Sequence, residues 1–412
     1  ELAPHFTAAR KMLGITDNPY RGIQDEWLQL AAEKVGAGDS FGSVPQSIYF
    51  GDPAEKEQDP FFDGNGPMRK GCTQCGRCYT GCEFGAKNSL DKNYLYFAEQ
   101  KGVQVFSEHQ VTHISTLADG GYQINLQHSF THDALKPLRA AKVIVAAGAL
   151  GTQELLFASR DRYKTLPNVS AALGRRVRTN SEALVGILAK DSSVDVTHGA
   201  SISTHYYPDD KTHVTQNRLP PSYGPMKFYM MPMIDGTKPL PRALKTLLAF
   251  VLKPAHGIGA YFSKNWYKRT TYLTVMQQAD NEMAFSYGRT LLRGFRYGLK
   301  SKLSKGGRTP SYLPQANQAA RAFAAVSNGI PQNMVVESVG NMSVTAHVLG
   351  GAVMADSPEG GVINTQHEVF GHPGLYVMDG SAIPANVGVN PSLTITAMAE
   401  RFVSLFPAKT SE

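Results

Sequence analysis

Along residues 1–35 apolar side chains recur at helical spacing, with Phe6, Ala9, Met12 and Leu13 on one face and Trp27, Leu28, Leu30 and Ala31 on a later one. Residues 36–71 lose that rhythm, and their Gly, Pro and Asp content predicts an extended loop. A helix is expected over Asp91–Gln100, ended by Gly102. Short apolar runs predict strands at Val103–Phe106, Val111–Ile114 and Tyr122–Leu126, and Ala140–Leu156 reads as strand, glycine turn and helix. Residues 184–345 are less regular, with alternating runs at Tyr272–Met276 and Met283–Tyr287 that predict antiparallel sheet. Residues 376–405 are strand, turn and helix again. Strand–helix alternation at both ends of a strand-rich middle predicts an α/β nucleotide-binding domain interrupted by an inserted α+β domain on a mostly antiparallel sheet. The expected units are a helical and loop segment with the cysteines (1–83), two parts of the α/β domain (84–183 and 347–412) and the inserted domain (184–346).

The 412 residues suffice for two or three domains, and 42% hydrophobic with 18% charged residues is ordinary globular content. The net charge of +7 favours anionic partners, but the basic residues are scattered and no Lys/Arg run interleaves with aromatics, so nucleic-acid binding is not expected. No window approaches the ~20 apolar residues of a membrane span. Pro239–Pro254 combines Leu240, Leu244, Leu247, Leu248, Phe250, Val251 and Leu252 with Arg242, Lys245 and Lys253. It reads first as a helix buried in its domain and second as a short interfacial helix in peripheral contact with a membrane.

The richest chemistry lies between Thr345 and Leu405. Leu375–Met378 is a short buried strand that Asp379-Gly380 ends, and Asn390-Pro391 opens a helix, Asn as cap and Pro as first residue. A helix start offers free N–H groups and partial positive charge, and glycines let backbone approach a flat cofactor. Taken singly, His347 reads as an ordinary core or surface histidine and Asn390 as a mere cap.

Together, Thr345–Gly351, Gly374–Ser381 and Gly388–Thr396 resemble the C-terminal signature of the glucose–methanol–choline (GMC) family of flavin oxidoreductases, and the match runs in order over some 60 positions. Val143–Thr152 resembles the family's strand and glycine turn beside FAD, and Gly85–Leu95 and Thr274–Asn281 resemble its bacterial cholesterol-oxidase branch. The resemblance implies FAD as cofactor, with His347 and Asn390 as catalytic pair, His347 taking the substrate hydroxyl proton. It implies FAD contacts from Val111, Gly148, Asp379, Gly380, Asn390, Pro391 and Ser392, with residues 1–83 covering the FAD and substrate site. The implied substrate is a 3β-hydroxysterol or another bulky secondary alcohol, with oxygen or a different electron acceptor. The compartment stays open, a bacterial cytoplasmic or membrane-associated place being favoured over secretion, and so does the oligomeric state.

The family opens on strand–GxGxxG–helix, which cradles the FAD pyrophosphate. No such string occurs here; Gly36-Ala37-Gly38 with Gly42 follows a helix and has the wrong spacing. The expectation is an α/β domain lacking its first βαβ unit, in a chain that is a fragment and holds FAD weakly alone. In the sterol branch a Glu moves the ring double bond, whereas here that position is Thr215 or Gln216, so isomerisation is not expected unless another carboxylate such as Glu337 substitutes.

All four cysteines fall in Cys72-x2-Cys75-x2-Cys78-x3-Cys82. The plainest reading is free or locally paired thiols in a loop near the cofactor. The spacing also fits a ferredoxin-type iron–sulfur run, although no Pro follows Cys82 and a last cysteine of this kind can serve a different cluster. Zinc is the third reading, with ligands spaced tightly for a tetrahedral site. An electron-transfer protein built on this run is the competing functional class.

Overall fold

The computed structural model describes residues 1–254, 256–291, 294–304 and 309–406. Two helices, α1 (Ala3–Met12) and α2 (Ile23–Lys34), occupy the expected helical stretch, and the chain then runs mostly as loop to the cysteines. Leu28, Ala31 and Ala32 of α2 are buried, while Leu30 points outward. The helix expected from Asp91 begins as a 3-10 turn and is α-helical over Tyr94–Gln100. Val103–Phe106 is not a strand: it forms no ladder with any described residue, and Val103, Val105 and Phe106 are exposed. Apolar, β-branched content alone makes no strand without a neighbour to bond.

An antiparallel meander follows, β1 (His109–Thr116), β2 (Tyr122–His128) and β3 (Ala134–Ala140). Strand β4 (Val143–Val145) then leads through a glycine turn into α3 (Gly148–Phe157). The large sheet takes up β5 (Ala183–Ala189), β6 (Thr204–Asp209), β7 (Thr212–Asn217) and β8 (Thr270–Gln277), with α4 (Pro239–Leu252) between β7 and β8. Strands β9 (Met283–Arg289) and β10 (Tyr297–Leu303) form a separate hairpin, so the two alternating runs of the sequence belong to different sheets. Helix α5 (Pro314–Val326) and strand β11 (Gly329–Met334) complete the large sheet's layer. Strand β12 (Leu375–Val377) and helix α6 (Ser392–Leu405) close the described chain.

The large sheet has seven strands in the order Gly42–Ser43, β6, β7, β8, β5, β11 and Met230–Pro232, and every pair in it is antiparallel. Period-2 alternation divides its two faces. Val185, Ile187, Val214, Leu273 and Val275 enter a core covered by α2 and α5, with Phe323 and Trp27 in edge contact there. On the opposite face Leu184, Thr215 and Thr274 line a cavity, Thr215 lying opposite Thr274 in the register.

The α/β layer centres on β4 and β12, which pair in parallel with Leu375 opposite Val143 and Val377 opposite Val145. Both strands therefore end on the same side, where Gly148 and Asp379-Gly380 make their turns. The Thr152 hydroxyl donates to the Asp379 carboxylate and fastens the two turns together. Crevices at the carboxyl ends of parallel strands are the usual ligand position in such layers. The core beneath joins Ile114, Val145, Leu156, Val169, Leu375 and Val377, and Phe285 and Tyr287 of the hairpin pack on it.

Helix α4 overturns the expectation of a buried helix. It buries Arg242, Thr246 and Ala249 and exposes its apolar side: Leu240 is 69% exposed, Leu244 59%, Leu248 59% and Val251 63%. The inversion rests on Arg242, whose guanidinium donates to the carbonyls of Gly236 and Glu337 and to Ser311 and Asn341. The periodicity showed two faces; only these polar partners decide which one turns inward.

Candidate functional site

His347 and Asn390 line one cavity of about 250 Å³, together with Tyr79, Glu182, Asn217 and Thr274. Forty-three positions of chain separate the pair, and the tripeptide Asn180–Glu182, just ahead of β5, brings them together. The Asn180 amide donates to the Val389 carbonyl at 2.7 Å, and its carbonyl oxygen accepts from Gly388 N–H at 3.2 Å, which fixes the loop before Asn390. Two residues on, the Glu182 carboxylate accepts from the Thr345 hydroxyl at 2.5 Å and from Ala346 N–H at 3.1 Å, which fixes the loop before His347.

Glu182 also holds the imidazole, His347 Nδ1 to Glu182 Oε1 being 2.8 Å. A carboxylate accepts only, so Nδ1 carries the hydrogen and the lone pair of a neutral ring lies on Nε2. That nitrogen is the one left to take a proton in the cavity. The amide of Asn390 makes no hydrogen bond among the described residues and is exposed, so it is open to a ligand. It does not cap α6: the helix begins at Ser392, Pro391 occupies the cap position at φ −85° with helical ψ, and no side chain caps the first amides. The expected assignment, Asn as cap and Pro as first residue, is thus shifted by one position, because Pro391 lacks an N–H and its ring-fixed φ already continues the helix. The first N–H groups of α6 stay available to an acceptor.

Of the expected FAD contacts, Val111 lines a separate cleft of about 730 Å³ with Val143–Ala147, Arg162 and Tyr163. Gly148 stands at φ +74° with nothing within 4 Å of an added Cβ, an open approach at the start of α3. Asp379 is committed internally: besides Thr152, its carboxylate accepts from Ser381 N–H at 2.8 Å and Ser381 Oγ at 2.5 Å. Gly380 and Pro391 are buried and Ser392 is exposed. These residues suit a flat cofactor between the β4 and β12 turns and the start of α6: an unpaired amide, uncapped helix N–H groups and clear space at Gly148.

Sequence reasoning missed Glu182, Tyr79 and Asn217. Glu182 carries no local signal, being an acidic residue before an apolar strand, 165 positions from its partner. Tyr79 rides beside Cys78 and donates its hydroxyl to Asn217 Oδ1 at 2.5 Å. Between the two registers left open, the cavity position is Thr215, its hydroxyl donating to the Thr204 carbonyl at 2.9 Å, whereas Gln216 points into a buried network on the other face. Glu337 is not in the cavity; it lies in a small neighbouring one with Arg242, Ser311 and Asn333.

Burial pushes the Glu337 carboxyl up to about 8, opposed by a backbone hydrogen bond at Leu184 and then by the charge of Arg242. The neutral acid is therefore the folded form at neutral pH. A raised folded pKa gives stability that is complete below the unfolded value and is lost as pH climbs through the folded value. Glu337→Gln is expected to flatten the decline in stability between about pH 5 and pH 8 in denaturant titrations; an unchanged slope would count against this account of Glu337.

Glu182→Gln is expected to lower kcat about 10- to 100-fold with KM nearly unchanged and cofactor retained, since the amide can present an N–H to Nδ1 and favour the wrong tautomer. A matching rise in KM would mean that Glu182 merely shapes the cavity.

The chain matches GMC oxidoreductase domains over residues 67–173 and 279–399. It is 38% identical to a cholesterol oxidase of Acinetobacter baumannii, over 99% of this chain and 75% of that one. It is 39% identical to a cholesterol oxidase of Mycobacterium tuberculosis, over 99% of this chain and 72% of that one. An FAD-dependent oxidoreductase of Chaetomium thermophilum shares the fold at a TM-score of 0.52 and 14% identity, over 95% of this chain and 72% of that one.

Proposed function

The chain belongs to the GMC oxidoreductase family of FAD-dependent alcohol oxidoreductases, and from that premise we propose that it oxidises a 3β-hydroxysterol or similarly bulky secondary alcohol to the ketone, with oxygen as final acceptor. The observation that carries this reading is the joint presence of His347, Glu182 and Asn390 around one cavity. FAD, when bound, supplies the acceptor for the hydride leaving the alcohol carbon. The turns at Gly148 and Asp379-Gly380 and the start of α6 would hold its ring end, and the cleft at Val111 its adenosine.

His347 Nε2 takes the hydroxyl proton, and the Glu182 carboxylate stabilises the imidazolium so formed. The Asn390 amide steadies the alcohol oxygen as the proton leaves. The apolar walls, Ala183, Leu184, Ile202 and Val344, exclude water. At about 250 Å³ the cavity lies just under the usual ~300–1,000 Å³ of ligand sites, so it takes the hydroxyl-bearing end of a larger molecule. Thr215 cannot shuttle a proton, and Glu182 is bound to His347, so the product keeps its double bond where the substrate had it. A panel of sterols and short secondary alcohols tests the reading through ketone and peroxide release. Oxidation of sterols with one peroxide per ketone supports it; turnover confined to small primary alcohols, or to artificial acceptors, would displace it.

Helix α4 supports sterol uptake from a lipid surface. Phe250 of the same helix is in ring contact with Tyr261, which is in ring contact with Phe228. Lys238, Lys245 and Lys253 are exposed along the same helix and complement anionic headgroups. Burying one Leu is worth ~1.5–3 kcal/mol, so Leu244→Glu with Leu248→Glu is expected to weaken binding to anionic vesicles at least about tenfold. Turnover of a short soluble alcohol should not change; equal vesicle binding by variant and parent would remove this role from α4.

A further inference from the structure

The cysteine run has no part in the alcohol chemistry, yet it is a built feature. All four thiols are free, and all four line one small cavity walled by Ile48, Phe84 and Ala86. The loop reaches this shape through close backbone contacts. Gly199 N–H donates to the Gln74 carbonyl at 2.7 Å, and Gly76 sits at φ +66° where a Cβ would lie 2.3 Å from the Thr197 carbonyl oxygen. Cys82, the member of such a run that can be sent to a different cluster, turns back to the cavity of the other three.

Among the described residues no three side chains converge tightly enough to hold one metal ion. Tetrahedral zinc needs four sulfurs about 2.3 Å from a single point. A polynuclear cluster binds one thiolate to each iron at its periphery, so its ligands surround a common volume without meeting at a point. All four thiols border one cavity, as a cluster ligated by all of them requires.

The surroundings agree. Cys72, Cys78 and Cys82 are half-buried against the apolar cluster of Ile48, Ala86 and Ala200, and Cys75 is exposed. Gln74 N–H donates to Cys72 Sγ at 3.4 Å, the kind of bond that tunes cluster sulfurs. Lys87 lines the cavity, and its ammonium donates to the Cys78 carbonyl at 3.3 Å, placing positive charge beside a site whose liganded form is anionic.

We propose that Cys72, Cys75, Cys78 and Cys82 are the four ligands of a [4Fe–4S] cluster. Assembly balances from two ferrous ions, two ferric ions and four sulfides. The four S–H bonds break, four iron–thiolate bonds form, and the four protons pass to solvent with no net oxidation. Ligation does not depend on which alcohol is oxidised, or on flavin being bound.

The test uses the whole chain purified without oxygen, reconstituted with equal ferrous and ferric iron plus sulfide, and stripped of loose metal with a chelator. The expected result is about four iron and four acid-labile sulfide per chain, with visible absorbance that dithionite bleaches whether or not flavin is loaded. Cys78→Ala and Cys82→Ala should lose at least half of that iron while keeping the far-ultraviolet circular dichroism of the parent. Less than about one iron per ten parent chains, zinc at one per chain in its place, or equal iron in parent and variants would each overturn the assignment. The parent measurement decides by itself if a variant fails to fold.

Discussion

Replacing His347 by Ala is expected to lower kcat for alcohol oxidation by about 10²- to 10⁴-fold, the usual worth of a positioned general base. The loss should appear in kcat and kcat/KM alike, because the proton leaves the hydroxyl only on the way to the transition state. Asn390→Ala should cost about 10-fold or more, since the amide has no partner among the described residues and its removal leaves the alcohol oxygen unheld. His347→Gln is the informative companion, because it keeps a polar side chain and loses the base. FAD content, read from visible absorbance after desalting, should stay within the parent's range in each variant. Near-parental turnover in both His347→Ala and Asn390→Ala would remove the pair from the chemistry.

Asp25→Asn is expected to destabilise the chain by about 3–5 kcal/mol, the cost of leaving one partner of a buried ion pair alone. Asp25 and Arg218 are both fully buried, with Arg218 Nη2 at 2.5 Å from Asp25 Oδ2. The other carboxylate oxygen accepts from Gln216 at 2.5 Å and Thr204 at 2.8 Å and also from the Ser203 hydroxyl, while Gly22 N–H reaches Oδ2 at 2.9 Å. Arg218 in turn donates to the Ala200 carbonyl at 2.9 Å and to Ser203 at 2.5 Å. The cluster locks α2 onto the large sheet and the loop at Ala200 beneath the cysteines. Urea unfolding followed by tryptophan fluorescence, to which Trp27 on α2 and Trp266 both contribute, measures the effect. The double variant Asp25→Leu with Arg218→Met should recover much of the loss, as apolar replacement of a whole pair commonly does. A change under about 1 kcal/mol in Asp25→Asn would show that the pair is not what holds α2.

Legibility in the sequence tracked distance along the chain. The turn at Val143–Thr152 and the strand, turn and helix of 376–405 were readable because each is a local pattern of apolar run, glycine and helix start. His347 and Asn390 could be named from such local strings, but their meeting could not, since it depends on Asn180 and Glu182 gripping the two loops from elsewhere. Glu182 itself was invisible, because nothing in Asn180-Ser181-Glu182 announces a partner 165 positions away. Thr215 against Gln216 was undecidable until the pairing of β7 with β8 assigned the faces. Helix α4 departs from its pattern for a different reason: an apolar stripe normally turns inward, and here the satisfied guanidinium of Arg242 turns inward in its place. Val103–Phe106 had strand composition and no strand to pair with. The cysteine spacing was plain, while the return of Cys82 to the cavity of the other three required the fold.

Anaerobic mixing of the FAD-loaded chain with a 3β-hydroxysterol addresses the alcohol chemistry before any final acceptor intervenes. The visible flavin absorbance should bleach as one ketone forms per FAD, and His347→Ala should slow that bleaching at least about a hundredfold. Bleaching that proceeds equally fast in His347→Ala, or no bleaching with any secondary alcohol, would contradict proton removal at this histidine.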